Sequence, residues 1–490
     1  MTGRLRAAVL LIILVVTGCS SPHRARPAAA PDLSRELAEK VTAERMFTHL
    51  HALQDIANAN KGSRADGTPG YDASVEYVAK ALRNRGFDVS TPQFDRLYPI
   101  SPGKPTLTVA GRSFQVDQAS LLVRTPPGGL TGQPVRPIAP SGCAVGDYPA
   151  ALPPGAIAFV DDTSCSVVDK QKTAVAKGAV ALIVVSAPNA QGAPPTLFNP
   201  GYFKQLTVPV AVVSDYGGKA LAQASAPVHL VLDAENIKIT SRNVLAQTRT
   251  GSPSDVIVVG AHLDSPRDSP GINDNGSGVA AVLETALQLG PLAPVTNAVR
   301  FVFWGAEEDG LGGVMDYLFG LDRDQLNDIA MYLNFTMLAS PNAGFFTDDG
   351  DQSGPPSPGI APSDVPDGSA GIERTLAGYL NLAGKRPAVM PLNPRADYHP
   401  FMVAGIPVGG MTAGGAQPKT TVQARLWGGQ PGVWFDPNFQ TPRDTVDNVN
   451  RDALAVMGFG VASAVGSYAD SIGGANGVLP HDKRHRARLP

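Results

Sequence analysis

The sequence predicts an α/β fold: a mostly parallel central sheet sandwiched by helices, with a β-rich module set into the chain. Three observations predict it. From residue 243 onward, short apolar runs alternate with helical stretches, the order that builds a parallel sheet covered by helices. Residues 35–86 carry helical periodicity. Between them, residues 99–240 change character, with Pro, Gly and Val dominant and few charges.

Taken in order, the chain opens with Arg4 and Arg6, then an apolar run of ten residues, Ala7 to Val16, too short to span a bilayer. Val16-Thr17-Gly18-Cys19 follows, a small-residue site, so residues 1–19 read as a signal peptide. Its ending resembles a bacterial lipobox, in which Cys19 is lipidated. The plainer alternative is a signal peptide with an incidental Cys. The chain has only 3 Cys, and one stands directly after the small residues, which favours the lipobox. Several acyl chains would anchor the protein stably to a cell-envelope membrane. Residues 20–34, rich in Ser, Pro, Arg and Ala, read as a tether.

LAEKVTAERMFTHLHALQDIANAN and YDASVEYVAKALRNRGF read as helices, separated by the turn-rich KGSRADGTPG. In 99–240, AIAFV, VALIVV and VPVAVVS read as strands between turns. Cys143 and Cys165, in an exported chain, are most simply one disulfide. Next come a strand at DVIVVGAHLD and a helix at VAAVLETALQLG, for which Ser277 is a candidate cap. AVRFVFWGAEE and IAMYLNFTML read as two further strands. Residues 351–370 read as a surface loop and 473–490 as a disordered tail. Lys+Arg number 40 against 43 Asp+Glu, and only 17 % of residues are charged, which argues against a nucleic-acid partner.

Three segments could carry chemistry. In GAHLDSPRDSPGINDNGSG, His262 ends a strand, at the edge where open α/β sheets form sites. Asp264 can share its side and orient its ring, and Asp274 returns in a Gly/Asn-rich loop. In WGAEEDG, the adjacent Glu307 and Glu308 suit one metal ligand and one general base. The third segment is RADYHPF. Each has a bland alternative: a hydrogen-bonded strand-end His, a solvated acidic turn, an Asp that caps a helix. Their recurrence at successive strand ends makes coincidence demanding.

GYDASVEYVAKAL, GAHLDS, GINDNGSGVAAVLETA, WGAEE, YLNFTMLASPN, AGIPVGGMTAG, WGG and DTVDNVN together resemble the secreted co-catalytic zinc aminopeptidases, relatives of aminopeptidase Y and of bacterial leucyl aminopeptidases. The stretch CAVGDYP…SCSVVDKQKTAVAKGAVALIVV resembles their protease-associated domain. The resemblance implies a discontinuous peptidase-like domain over 35–98 and 241–472, with a protease-associated-like domain at 99–240. It implies zinc, one or two ions, and peptides or protein N-termini as substrates. His262 and Glu308 would be ligands, Asp274 the bridging ligand, Glu307 the general base and Asp264 the support of His262. Arg395 matches a family Arg near the substrate.

The sequence also departs from the family. Where an Asp ligand stands in the family, this chain has Thr336, and Gln440 replaces the last His ligand. Phe439 replaces a Tyr that assists the transition state, and Asn438 and Arg443 replace a flanking disulfide. The His of the D-H-x-P-F motif is shifted to His399, the one His placed to substitute as a ligand. Neutral Thr and Gln are poor zinc ligands. Two readings follow. One is an aminopeptidase with one metal, supported by His262, Asp274, Glu307 and Glu308. The other is a peptidase-shaped protein that binds peptides or a partner without cleaving them, supported by Thr336, Phe439 and Gln440.

Overall fold

The computed structural model describes residues 32–188, 194, 196–199 and 201–489. The expected signal peptide, Cys19 and nearly all of the tether lie outside the described residues. The tether's last residues do not stay irregular. Asp32 caps a helix at Leu33–Lys40, and Ser34 Oγ donates to Ser463 O at 3.0 Å.

Eight strands form the central sheet. In spatial order they are Val89–Ser90, Val244–Gln247, Asn297–Trp304, Ser252–His262, Ile329–Phe335, Val408–Thr412, Phe346–Asp348 and Ala388–Met390. The four in the middle are mutually parallel, and antiparallel pairings flank them. The central strands read as continuous apolar runs because both faces are buried. Ile257 and Val259 pack into one core with Val299, Phe301 and Leu333. Val256 and Val258 pack into the other with Val302, Trp304 and Tyr332. Helices Ala43–Ala59, Pro69–Arg85, Gly278–Leu289 and Arg451–Asp470 cover the first face. Gly312–Phe319, Arg323–Asp328 and Tyr398–Val403 cover the second. Thr42 and Thr68 cap the first two of these helices by accepting from Arg45 and Tyr71 N–H, and left-handed Gly86 (φ 99°) ends the second.

The inserted module stands on a two-stranded stem, Gln93–Ser101 paired antiparallel with Glu235–Arg242. Beyond it lie a five-stranded and a four-stranded sheet, with helices Val167–Ala176 and Asp215–Ala222. Cys143 and Cys165 are joined, with 2.03 Å between their sulfurs.

Residues 473–490 read as disordered from their charge, and that expectation is corrected as far as Leu489. The segment packs against the N-terminal edge of the sheet. Arg484 is buried and donates to Leu479 O, Ser254 O and Asn327 O at 2.9–3.0 Å, and to Asp255 Oδ1 at 2.5 Å. Arg486 is also buried. Two of the basic residues that suggested a solvated tail, Arg484 and Arg486, spend their donors on main-chain carbonyls and on Asp255, while Lys483, His485 and Arg488 stay exposed.

Candidate metal centre

The site lies at the C-terminal ends of the parallel strands. His262 ends its strand directly beside Trp304, the last residue of the neighbouring one. The chain then turns sharply, with Ala306 (φ 56°) and Leu311 (φ 63°) in the left-handed region, and presents Glu307 and Glu308 between them. The Asp264 carboxylate holds this turn. Its Oδ1 accepts from Glu307 N at 3.1 Å and its Oδ2 from Glu308 N at 3.2 Å. The expected support of the His262 ring by Asp264 comes from its main chain. The nearest acceptor to His262 Nδ1 is the Asp264 main-chain oxygen at 3.2 Å, whereas the carboxylate is 3.8 Å away. The carboxylate is committed to the Glu307–Glu308 amides.

Asp274 sits in a loop stapled on every side. Asp444 accepts from Asn273 N at 2.7 Å and from Asp274 N at 3.0 Å. Asn275 Oδ1 accepts from Gly278 N and Met337 N, both at 3.1 Å, so Asn275 rather than Ser277 caps the following helix. Ser277 Oγ instead accepts from Leu338 N at 2.8 Å and donates to Asn273 O at 2.7 Å. A Cβ on Gly278 would lie 2.2 Å from Phe335 O, so the G-S-G run lets this loop close on the strand end. Arg64 closes the loop from below. Fully buried, it donates to Pro270 O at 2.9 Å and to Leu263 O and Gly271 O at 2.7 Å. Burial pulls its guanidinium down to about 10 against the raising effect of Asp444, Asp264 and Asp274.

These supports bring donor atoms of His262, Asp274 and Glu308 within 4.8 Å of one another. His262 Nε2 is 3.5 Å from Asp274 Oδ1 and 3.9 Å from Glu307 Oε2. The acids are crowded and short of countercharge. Burial, then the Asp274 charge, pushes Glu308 up to about 10, and burial raises Glu307 strongly. Burial lowers the affinity of His262 for a proton, but Glu307 and Asp274 outweigh it and raise the group well above its ordinary value. Glu308 Oε1 is buried with no hydrogen-bond partner. One imidazole and two carboxylates, one oxygen of which is unsatisfied, suit a single zinc ion with an open position. Among the described residues, the same cluster offers no further His or Cys.

The other expected residues divide. Gln440 reaches the cluster, but as a donor: its Nε2 is 3.1 Å from Glu308 Oε2. Thr336 follows the Phe335 strand end, partly buried, and adds no metal-binding group. Phe439 is half-buried beside Gln440, and Arg395 is exposed in the turn before Asp397. His399 does not join the cluster, and its one resolved charged neighbour is Asp364, so the substitution expected of it is not seen. Two residues earlier, Asp397 faces inward. It is buried, its Oδ1 has no partner, and burial pushes it up to about 7, with His262 opposing and Asp264 reinforcing.

Sequence reasoning missed Arg64, Asp397 and Asp444. Arg64 lies in the turn-rich KGSRADGTPG, Asp397 in RADYHPF beside the more conspicuous His399, and Asp444 in DTVDNVN, where nothing local marks it. An Arg inside a Gly/Pro turn was the one signal on offer.

Comparison with known proteins gives the family and the fold. The description of peptidase family M28 matches residues 243–465, and that of the PA domain matches residues 130–221. A Mycobacterium tuberculosis (strain H37Rv) protein named "Probable lipoprotein aminopeptidase LpqL" is 47 % identical over 489 residues, 97 % of this chain and 96 % of that protein. An aminopeptidase of Pseudomonas aeruginosa is 37 % identical over 436 residues, 84 % of this chain and 78 % of that protein. Among solved structures, BSAP, a zinc aminopeptidase from Bacillus subtilis, matches with a TM-score of 0.50 at 25 % identity, covering 90 % of this chain and 99 % of that one.

Proposed function

The chain belongs to peptidase family M28, and from that premise we propose that it is an exported, lipid-anchored aminopeptidase that works with one zinc ion. The observation that carries the proposal is the convergence of His262, Asp274 and Glu308, with Glu307 beside them. These three residues would hold the ion. Bound there, zinc supplies positive charge that polarises the scissile carbonyl and makes water more acidic. Glu307 takes the proton of the attacking water and returns it to the leaving amine. Asp264, by fixing both amides of the Glu307–Glu308 turn, keeps base and ligand in register. Asp397, buried with an unpartnered Oδ1, is one of the acids whose charge raises Glu307.

The lipobox-like ending at Cys19 and the "lipoprotein" in the name of the mycobacterial relative support membrane anchoring. The substrates would be peptides or protein N-termini, removed one residue at a time. The non-catalytic reading draws on one specific observation, that Gln440 engages Glu308 as a hydrogen-bond donor instead of offering a ligand. A hydrolysis assay on leucine-anilide decides between the two. Zinc-dependent turnover, lost at least about 100-fold in Glu307→Gln, is expected, in line with the usual contribution of a general base. No turnover at any zinc concentration would leave a peptide-binding protein.

A further inference from the structure

Arg96 stands outside the metal centre, on the Gln93–Ser101 strand of the stem that carries the inserted module. Its guanidinium is buried and joins two carboxylates. Nε lies 2.5 Å from Asp66 Oδ2, and Nη2 lies 2.6 Å from Asp309 Oδ2. Asp66 is itself buried, and its other oxygen accepts from Ser241 Oγ of the paired stem strand. Asp309 is the residue that directly follows Glu308. A second cation reaches the same carboxylate from the loop between His262 and Asp274: Arg267 Nη2 is 3.6 Å from Asp309 Oδ2. The Arg267 guanidinium also lies 3.6 Å over the ring of Tyr98, two residues along the stem from Arg96. Both loops that build the metal centre are therefore tied to the stem, and Asp309 is the shared knot.

We propose that Arg96 is a positioning residue, which through Asp309 sets the Glu307–Glu308 turn, so that the stem of the inserted module governs the geometry of the base and of one metal ligand. The proposal rests on reading Glu307 as base and Glu308 as ligand. Its physical basis is the fork of the guanidinium. Two donors on a planar group fix two carboxylates at once, whereas an ammonium is a single point charge. Arg96→Lys should keep the fully buried Asp66 paired and release Asp309. Asp309→Ala makes the same cut from the other side and leaves Arg96 paired with Asp66. A shift of the module on its stem would reach the centre along the same line.

The experiment is hydrogen exchange on the peptide spanning 304–312, run on the full protein and on both variants, with zinc affinity by chelator competition and the split between kcat and KM on the same samples. The Glu307 and Glu308 amides are held by Asp264, so they should exchange slowly in the wild type. In both variants their exchange should rise at least about ten-fold, zinc affinity should fall about ten-fold, and kcat should fall with KM nearly unchanged. Unchanged exchange over 304–312 in both variants, with only the stem peptide 93–101 exchanging faster, would overturn the proposal and leave Arg96 as a stem ion pair. The exchange arm needs neither metal nor turnover. An inactive wild type would therefore count against the aminopeptidase reading while the positioning role is still decided.

Discussion

Gln440 Nε2 donates to Glu308 Oε2 at 3.1 Å, while Glu308 Oε1 stays buried and unpartnered. An amide N–H directed at a would-be ligand stabilises the carboxylate but brings no lone pair to a metal. An imidazole at that place would. Gln440→His should therefore raise zinc affinity by roughly ten-fold or more, since even an indirect partner of a ligand is worth about that much. Joined to Thr336→Asp, it should admit a second ion, and metal titration of the two variants reads both effects. The crowded carboxyls make a further prediction. Burial pushes Asp264 up to about 6 and Asp397 to about 7, so the folded, metal-free protein holds these protons more tightly than the unfolded chain does. That stabilisation is present at low pH and is lost as pH rises from about 4 through about 7. The gap in melting temperature between zinc-loaded and chelator-treated protein should widen from about pH 5 to about pH 8. A constant gap in calorimetry would contradict the charge account. At this scale the sequence brought forward His262, Asp274 and Glu308 as candidates through their recurrence at strand ends and the family resemblance, and the structure gathers their donor atoms within 4.8 Å. Asp397 did not come forward, because only burial distinguishes an inward carboxylate from a solvated one.

Loops, more than strands, make this site. The strands could be read directly, since a strand buried on both faces is a continuous apolar run and its end marks the sheet edge. The loops draw their partners from far along the chain: Arg64 from about 200 residues before the carbonyls it binds, Asp444 from 170 residues after the Asp274 amide. No local pattern announces such pairings. Arg64 supplies donors to three carbonyls in one buried loop, and removing it takes the side-chain donor from Leu263 O and Pro270 O, while Gly271 O keeps the Gly276 N–H at 3.0 Å. At about 1–3 kcal/mol for each buried polar group left unmade, Arg64→Met should cost several kcal/mol. It should also lower zinc affinity, because Asp274 sits at the end of that loop. Chemical denaturation and zinc titration of the variant check both. Lost stability with zinc affinity intact would mean that the loop keeps its shape without the arginine.

Over the whole molecule, the order of modules was visible as shifts of composition, with the β-rich insert between two parts of one α/β body. The stem begins at Gln93, earlier than the composition change at 99, because its residues alternate exposure and resemble the neighbouring loop in make-up. The C-terminal tail shows the opposite failure. Its charge reads as solvation, yet Arg484 spends its donors on Leu479 of the tail itself, on Ser254 and Asp255 at the start of one central strand, and on Asn327 just before another. Truncation before Arg484 should lower the melting temperature by several degrees, in keeping with a loss of a few kcal/mol from a body this large, and leave zinc stoichiometry unchanged. An unaltered melting curve would show the tail to be dispensable. The central claim concerns one number, the zinc bound per chain. Elemental analysis of the purified protein after dialysis against zinc, with concentration from amino-acid analysis, measures it directly. The account predicts one ion, reduced to a weakly held fraction by His262→Ala. Two ions per chain, or none in a folded protein, would contradict it.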